Sequence, residues 1–473
     1  MTAHDEGSAS SKAPPRSVAI IGTRGYPSFY GGFETLVRKL APFLADRGWE
    51  VIVYGRPHST VISAQYQRDD IRNLTTKGID SKSLSTLTFG ATSILDASKR
   101  RPDVALVLNL GNGFCLPMLR WRRVPSVVNV DGIEWQRDKW SKLGKAVFKL
   151  GAQFTARFGD ILISDSREIG VFWQKMFNRS SVFIPYGGDL PNGDLAPVDG
   201  LARRGYVLLV SRLVPENTVA EFLDAAERIA QRYPVVVVGS SGSGGPLEAR
   251  VRSLSASNRA VTWLGHLADE NKLYSLWQNC GAYFHGHSVG GTNPALVQAM
   301  ACGAPIIARD TVFNREVLQD AGLFVEPNFQ GIADAVETLM TDSMLQESLS
   351  SRAQTRAGEF YSWEAICTQY ETALYSAMDM QYPPSRLFRS ASVNPRRIAQ
   401  SPILPVRERI HDTIAALRSY RSGHSLKGRN EAGFAPAHAA ERSEGILDGP
   451  SIDFRLDEIK ETEDAVAQPD GVS

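Results

Sequence analysis

The feature that most constrains this chain is a recurring unit. A short apolar run ends in glycine or a small polar residue, and a stretch with helical spacing follows. SVAIIGTRGYP holds the run Val18 to Ile21 and a glycine turn. FETLVRKLAPFLADRGWEVIVYG then gives an amphipathic helix, a stop at Gly48 and a second strand. DVALVLN, PSVVNV (followed by Asp131), DILISDS and SVFIPYGGD continue the series. A second series opens at Tyr206 with YVLLVSRL, a helix around 219 to 232, and PVVVVGSSGSGG. VTWLGH, AYFHGH, PIIARD and LFVEP complete it. Apolar strands alternating with helices predict parallel sheets covered on both faces. The fold class expected is therefore α/β, with two Rossmann-like, doubly wound domains at 17–190 and 191–380. Ligands of such sheets lie beyond the strand carboxyl ends, so two of them predict a cleft. A long helix is expected near 360 to 378.

Composition narrows the function classes. Hydrophobic residues make up 43% and charged residues 22%, as in a soluble globular protein. A formal net charge of +1 gives no global field for nucleic acid, which is not expected as a partner. Cys115, Cys280, Cys302 and Cys367 are scattered without metal-like pairing, which points to a reduced, cytoplasmic setting. The polar leader at 1–16 lacks the apolar centre of a secretory signal. No apolar run approaches the roughly 20 residues that span a bilayer. The tail at 381–473 is basic first and acidic later, too poor in apolar residues for a core, and is expected to be largely disordered.

Several loops at strand ends could carry chemistry. GTRGYPSFYGGFE places Gly22, Gly25, Gly31 and Gly32 where phosphate could approach backbone N–H groups, or where the chain simply turns. It has neither dinucleotide spacing nor a Walker lysine. Gly239 opens a further glycine loop at a strand end. In HSVGGTNPALVQAMACGAPIIA, Gly290 and Gly291 precede Asn293 at a helix N-cap and Pro294 at the first helical position. Such a helix start is an anion site. Arg212, in SRLVPEN, either grips phosphate or pairs with Glu216 on the surface. Asp131 ends a strand, where it serves as base, orients an acceptor, or caps the next turn; Glu134 is a second carboxylate nearby. RDKWSKLGKAVFKLGAQFTARFG mixes lysines with aromatics, as does RWRR at 120 to 123. This reads either as a face for an anionic membrane or as an ordinary helix with a solvated side.

Four segments carry a resemblance: GTRGYPSFYGGFETLVRKLAPFLADRG, VNVDGIEWQRDKWSK, SRLVPEN and HSVGGTNPALVQAMACGAPIIA. Over residues 17 to 380 the chain resembles GT-B glycosyltransferases of the family-4 kind, within them the bacterial rhamnosyltransferase-like subgroup with a DUF1972-type N-terminal domain. The resemblance implies a nucleoside diphosphate sugar as substrate, held against the C-terminal domain, with no cofactor and no metal. It implies a glycan or lipid-linked acceptor on the N-terminal side, where Tyr26 and Glu134 lie, and transfer of a hexose such as rhamnose with retention. Arg212 would meet the diphosphate, with Asp131 close to the reacting groups and Gly31, Gly32 and Gly239 among the donor contacts. The lysine common five residues after the arginine is Asn217 here. The two glutamates such enzymes usually carry fall on Gly290 and Gln298, so sugar contacts are expected from backbone, Thr292 and Asn293, and ribose contacts from Gln298. A cytoplasmic enzyme at the inner face of a membrane is the expectation. A non-catalytic scaffold and a sugar-nucleotide epimerase of the same fold are the alternatives.

Overall fold

A computed structural model describes residues 15–380, apart from 30, 58–65, 67, 80–84, 131, 137–140, 192 and 243. The polar leader up to residue 14, Asp131 and the tail lie outside the described residues.

The first sheet comprises β1 (Ser17–Ile21), β2 (Glu50–Gly55), β3 (Ile71–Thr75), β4 (Val104–Leu108), β5 (Ser126–Asn129), β6 (Ile161–Ser164) and β7 (Val182–Phe183). Its helices are α1 (Gly32–Asp46), α2 (Ser85–Arg100), α3 (Leu116–Trp121), α4 (Lys142–Phe158) and α5 (Arg167–Phe177). The second sheet comprises β8 (Val207–Val210), β9 (Val235–Val238), β10 (Val261–Trp263), β11 (Ala282–His285), β12 (Ile306–Arg309) and β13 (Leu323–Val325). With it come α6 (Val219–Ile229), α7 (Pro246–Ser257), α8 (Glu270–Asn279), α9 (Pro294–Ala301), α10 (Val312–Leu318), α11 (Phe329–Thr341), α12 (Ser343–Phe360) and α13 (Trp363–Met378).

The strand orders are β3-β2-β1-β4-β5-β6-β7 and β10-β9-β8-β11-β12-β13. Every neighbouring pair is parallel, with Ile20 beside Val53 and Leu106, and Leu208 beside Val236 and Tyr283. Alternate residues go to opposite faces. Val18 and Ile20 therefore enter one core layer while Ala19 and Ile21 enter the other. β3 (IRNLT) was not among the expected strands, because it is a mostly exposed strand of mixed polarity without an apolar run.

These orders fix where a ligand can sit. Winding reverses between β1 and β4 in the first sheet and between β8 and β11 in the second. A crevice opens at such switch points beyond the strand carboxyl ends.

The last helix departs from the linear division of the chain. α13, which sequence order assigns to the second half, packs in the core of the first through Trp363, Ile366, Tyr370 and Leu374. Trp49 Nε1 donates to Glu371 Oε1 at 3.0 Å and Asn129 Nδ2 donates to the Tyr370 hydroxyl at 2.7 Å. The outgoing connection and this return run side by side, with Gly188 N–H donating to the Tyr361 carbonyl at 2.8 Å. A Cβ on Gly188 would lie 2.9 Å from the Val297 carbonyl oxygen, so the crossing has room only for glycine.

Candidate functional site

One cavity of about 690 Å³ joins the two switch points. Gly22, Arg24 and Asn109 reach it from the ends of β1 and β4, and Ser211, Arg212 and His287 from the ends of β8 and β11. Gly31, Gly32, Glu134, Gly239, Gly290, Gly291, Thr292, Asn293 and Gln298 also line it. Tyr26 does not. It is 4% exposed within the first core, and its backbone N–H and C=O pair with the Asn73 side chain at 3.4 and 2.6 Å. The acceptor-side role expected for Tyr26 is therefore corrected to a structural one. The sequence could not reveal this, since a tyrosine in a glycine loop reads the same in either role.

The second-half wall is built from loop and helix starts. Asn293 caps α9, its side chain accepting from Ala295 N–H at 2.9 Å, and Pro294 takes the first helical position. Arg212 stands 3.9 Å from Glu216 with its side chain 57% exposed. A pair so long and so wet contributes little, and the guanidinium can take an anion instead. Asn217 supplies no charge. Its Nδ2 donates to the Arg212 carbonyl at 3.0 Å and fixes the turn that presents Arg212.

Two residues of this wall have tasks other than those expected. Thr292 uses its N–H, at 3.1 Å, and its hydroxyl on the carbonyl of Asp165, across the cavity in the first half. Gln298 Oε1 accepts from Asp189 N–H at 3.0 Å while its Nε2 donates to Asp189 C=O at 2.8 Å. An amide can do both; a carboxylate has no proton for the carbonyl. Gln298 thus ties α9 to the chain crossing, which explains why glutamine rather than glutamate stands there. The sugar and ribose contacts expected of these two side chains have no support in this geometry.

The opposite wall carries Asp165, which sequence reading missed, and Glu134, which it named. Asp165, 2% exposed, follows β6, and a Cβ on Gly291 would come within 2.1 Å of its Oδ1. The second glycine of the VGGTNP loop is therefore set by a carboxylate from the other half. The signal was present: DILISDS ends a strand in aspartate just as VNVD does. Glu134 is 5% exposed and opens a short turn over Glu134–Gln136.

Polar bridges flank the cavity. Arg38 pairs with Glu270 at 2.9 Å, and the Tyr66 hydroxyl donates to the same carboxylate at 2.8 Å. Burial and that hydrogen bond push the Tyr66 phenol up to about 12. Lys39 and the Tyr274 hydroxyl reach the Asp189 carboxylate at 2.8 and 3.1 Å. On the far side Glu316 accepts from Ser166 Oγ at 2.9 Å and from Arg167 N–H at 3.0 Å, at the start of α5. Burial raises the Glu316 carboxyl above its ordinary value despite these donors. Behind the second-half wall, His285 is buried with Nδ1 3.0 Å from the Tyr283 hydroxyl, and it stacks on His287 at 4.5 Å between ring centroids. Desolvation holds His285 neutral, well below the usual histidine range.

Two parallel, doubly wound sheets facing one cavity in this way make the GT-B fold. Residues 200–356 match the family model described as Glycosyl transferases group 1, and residues 123–189 match the one described as Domain of unknown function (DUF1972). Among solved structures, the chain is similar to Anabaena HepE in complex with UDP and glucose. That likeness has a TM-score of 0.60 and 19% identity, and covers 76% of this chain and 100% of that one. Among curated proteins, it is 25% identical over 174 residues to O-antigen chain mannosyltransferase B of Escherichia coli, covering 36% of this chain and 45% of that protein. The chain thus spans less than half the length of this relative. It is 24% identical over 355 residues to the N,N'-diacetylbacillosaminyl-diphospho-undecaprenol alpha-1,3-N-acetylgalactosaminyltransferase of Campylobacter jejuni, covering 70% of this chain and 87% of that protein.

Proposed function

We propose that this protein is a glycosyltransferase that moves a hexose from a nucleoside diphosphate sugar to a glycan or lipid-linked glycan, with retention of anomeric configuration. The observation that carries the reading is the cavity between facing switch points, with Arg212 and the capped start of α9 on its donor wall. A diphosphate there meets a guanidinium, and a charge-assisted contact contributes roughly 1.5–3 kcal/mol. The helix start adds up to about 2 kcal/mol in a buried setting. The same groups stabilise charge on the leaving diphosphate as the anomeric C–O bond breaks. In the reaction proposed, the acceptor hydroxyl oxygen bonds the anomeric carbon on the face the diphosphate leaves. The electron pair of the broken bond stays on the diphosphate oxygen, which accepts the hydroxyl proton. Glu134 and Asp165 line the cavity as the carboxylates able to orient that hydroxyl.

The relatives' names support the class rather than one sugar: they print mannose and N-acetylgalactosamine, and the similar structure holds UDP and glucose. A hexose is therefore proposed, with rhamnose as one member. A lipid-linked acceptor is supported by the diphospho-undecaprenol in the name of the Campylobacter relative. Among the described residues no helix is long and apolar enough to cross a membrane. Contact with an anionic inner surface instead fits the adjacent helices α3 and α4, where Trp121 is 69% and Leu150 46% exposed beside exposed Lys142 and Lys149.

The test is incubation with UDP-, GDP-, dTDP- and ADP-hexoses, following thermal shift, donor hydrolysis and transfer. One nucleotide series is expected to stabilise the fold and to turn over. Binding without turnover on any acceptor would favour a non-catalytic scaffold, and release of free nucleotide with an unchanged acceptor would favour an epimerase.

A further inference from the structure

We propose that Asn109 is a substrate-binding residue whose side-chain NH2 group donates to a hydroxyl oxygen of a sugar at the reacting centre. This rests on the transferase reading and adds to it a neutral contact, beside the charged group and the helix start already described.

The backbone is the first observation. Asn109 follows β4, at the switch point of the first sheet, with φ 76° and ψ 130°. The left-handed helical well, where asparagine is enriched, lies at ψ of about +30 to +60°. Asn178 and Thr218 sit in it, at ψ 40° and 31°. Asn109 lies far outside it. Gln319, with φ 52° and ψ −111°, is outside as well, but it is exposed and does not line the cavity. Other strand ends on this cavity meet the same demand with glycine. Gly22 after β1 has φ 97° and Gly239 after β9 has φ 124°. At the end of β4 a side chain stands where glycine would fit without strain.

The surroundings hold that conformation. The Leu108 carbonyl accepts from Asn112 Nδ2 at 2.6 Å. A Cβ on Gly22 would lie 2.0 Å from the same oxygen, so the loop after β1 presses directly on the turn. The Asn109 carbonyl accepts from Asn112 N–H at 3.2 Å. Backbone strain that neighbours over-determine in this way clusters at ligand sites.

The side chain is the second observation. Its Oδ1 accepts from Gly111 N–H at 2.8 Å. An N–H can pair only with the oxygen end of an amide, so this bond settles which end faces the turn. Nδ2 is left over. It makes no hydrogen bond with the described residues, and it is not sealed in the core. Asn109 is half-buried and lines the cavity. The first-half switch point thus presents a neutral donor whose orientation is fixed by its pinned oxygen. Uncharged N–H donors suit a sugar hydroxyl, whereas phosphate is better met by the Arg212 guanidinium. Two sugars in the reaction offer such an oxygen, the hexosyl group of the donor and the acceptor saccharide, and they are separated below.

The experiment compares Asn109→Gly and Asn109→Asp with the wild-type full chain. Melting curves are followed by calorimetry with UDP-, GDP-, dTDP- and ADP-hexoses and with the bare nucleotides. Donor hydrolysis and transfer to octyl glucoside and octyl mannoside are then measured. Asn109→Gly adopts this backbone freely and is expected to melt no lower than wild type while losing roughly tenfold in turnover. Asn109→Asp keeps an oxygen for Gly111 N–H but has no N–H to donate, and should lose as much. A purely structural asparagine would make turnover follow stability instead. Weaker binding of the nucleotide sugar with unchanged binding of the bare nucleotide assigns the contact to the donor hexose. Unchanged donor binding and hydrolysis with impaired transfer to the octyl glycosides assigns it to the acceptor. The inference is overturned if turnover in Asn109→Asp stays within about twofold of wild type, a difference too small for a lost hydrogen bond. It is also overturned if turnover falls only in step with stability, or if Asn109→Gly weakens the bare nucleotide as much as the nucleotide sugar. Wild-type protein that turns over none of the donors overturns the transferase reading and this inference with it.

Discussion

The two halves share a strand order but furnish their crevices differently. The second half lines its side with glycine loops, a capped helix start, one wet arginine, Arg212, and the carboxylates of Glu216 and Glu270. The first half brings Glu34, Glu134 and Asp165 into the same cavity, each under 9% exposed, together with Arg24 and Arg56. One wall combines the backbone N–H groups of a capped helix start with an exposed guanidinium. The other carries side-chain charges in low-dielectric surroundings, where placement is stringent. The difference teaches that two copies of one topology can line a shared crevice with different proportions of backbone and buried side-chain groups.

The comparison breaks first if the halves are separable bodies. Trp363, 8% exposed, lies late in the chain but packs in the first core. Trp363→Ala is expected to cost about 3–5 kcal/mol in a urea melt, as large aromatic truncations do. A loss under 1 kcal/mol would mean that α13 is dispensable to the first half.

The next test concerns the second-half wall. Arg212→Ala should weaken nucleoside diphosphate binding by roughly 1.5–3 kcal/mol in calorimetry, with an unchanged melting curve. An unchanged affinity would transfer the diphosphate away from this wall.

A smaller effect is expected at the tie between α9 and the crossing. Gln298→Glu sets a carboxylate against the Asp189 carbonyl and should destabilise the fold by about 1–3 kcal/mol. Relative affinities for UDP, GDP, dTDP and ADP should stay constant. A changed order among nucleotides would return Gln298 to recognition.

The smallest effect is one of pH. Burial raises the Glu316 carboxyl in the folded state, so the fold binds more protons there than the unfolded chain. Its contribution is most favourable below the ordinary value of 4.5 and declines as pH rises through the raised folded value. Glu316→Gln should flatten that decline and alter stability near neutrality by less than about 1 kcal/mol. A stability profile with the same slope in both proteins would assign the decline to other groups.

Much of this was legible in the sequence because it is local. Strand runs, the Asn293 cap, Pro294 at the helix start and Arg212 after β8 each depend on a few adjacent residues. What stayed hidden depends on partners far along the chain. Gln298 finds its backbone partners 109 residues away, and Thr292 finds its own 127 residues away. Spacing within a motif contains no record of such meetings. Tyr26 illustrates the converse, since a residue inside a promising loop can point into the core.

The side-by-side passage at Gly188 and Tyr361 has a mechanical consequence. A chain that crosses between two bodies once leaves them free to twist in any direction. Crossing twice at nearly one point, with the strands stitched together, leaves something closer to a door hinge. Any widening of the mouth of the cavity then becomes a swing about that seam.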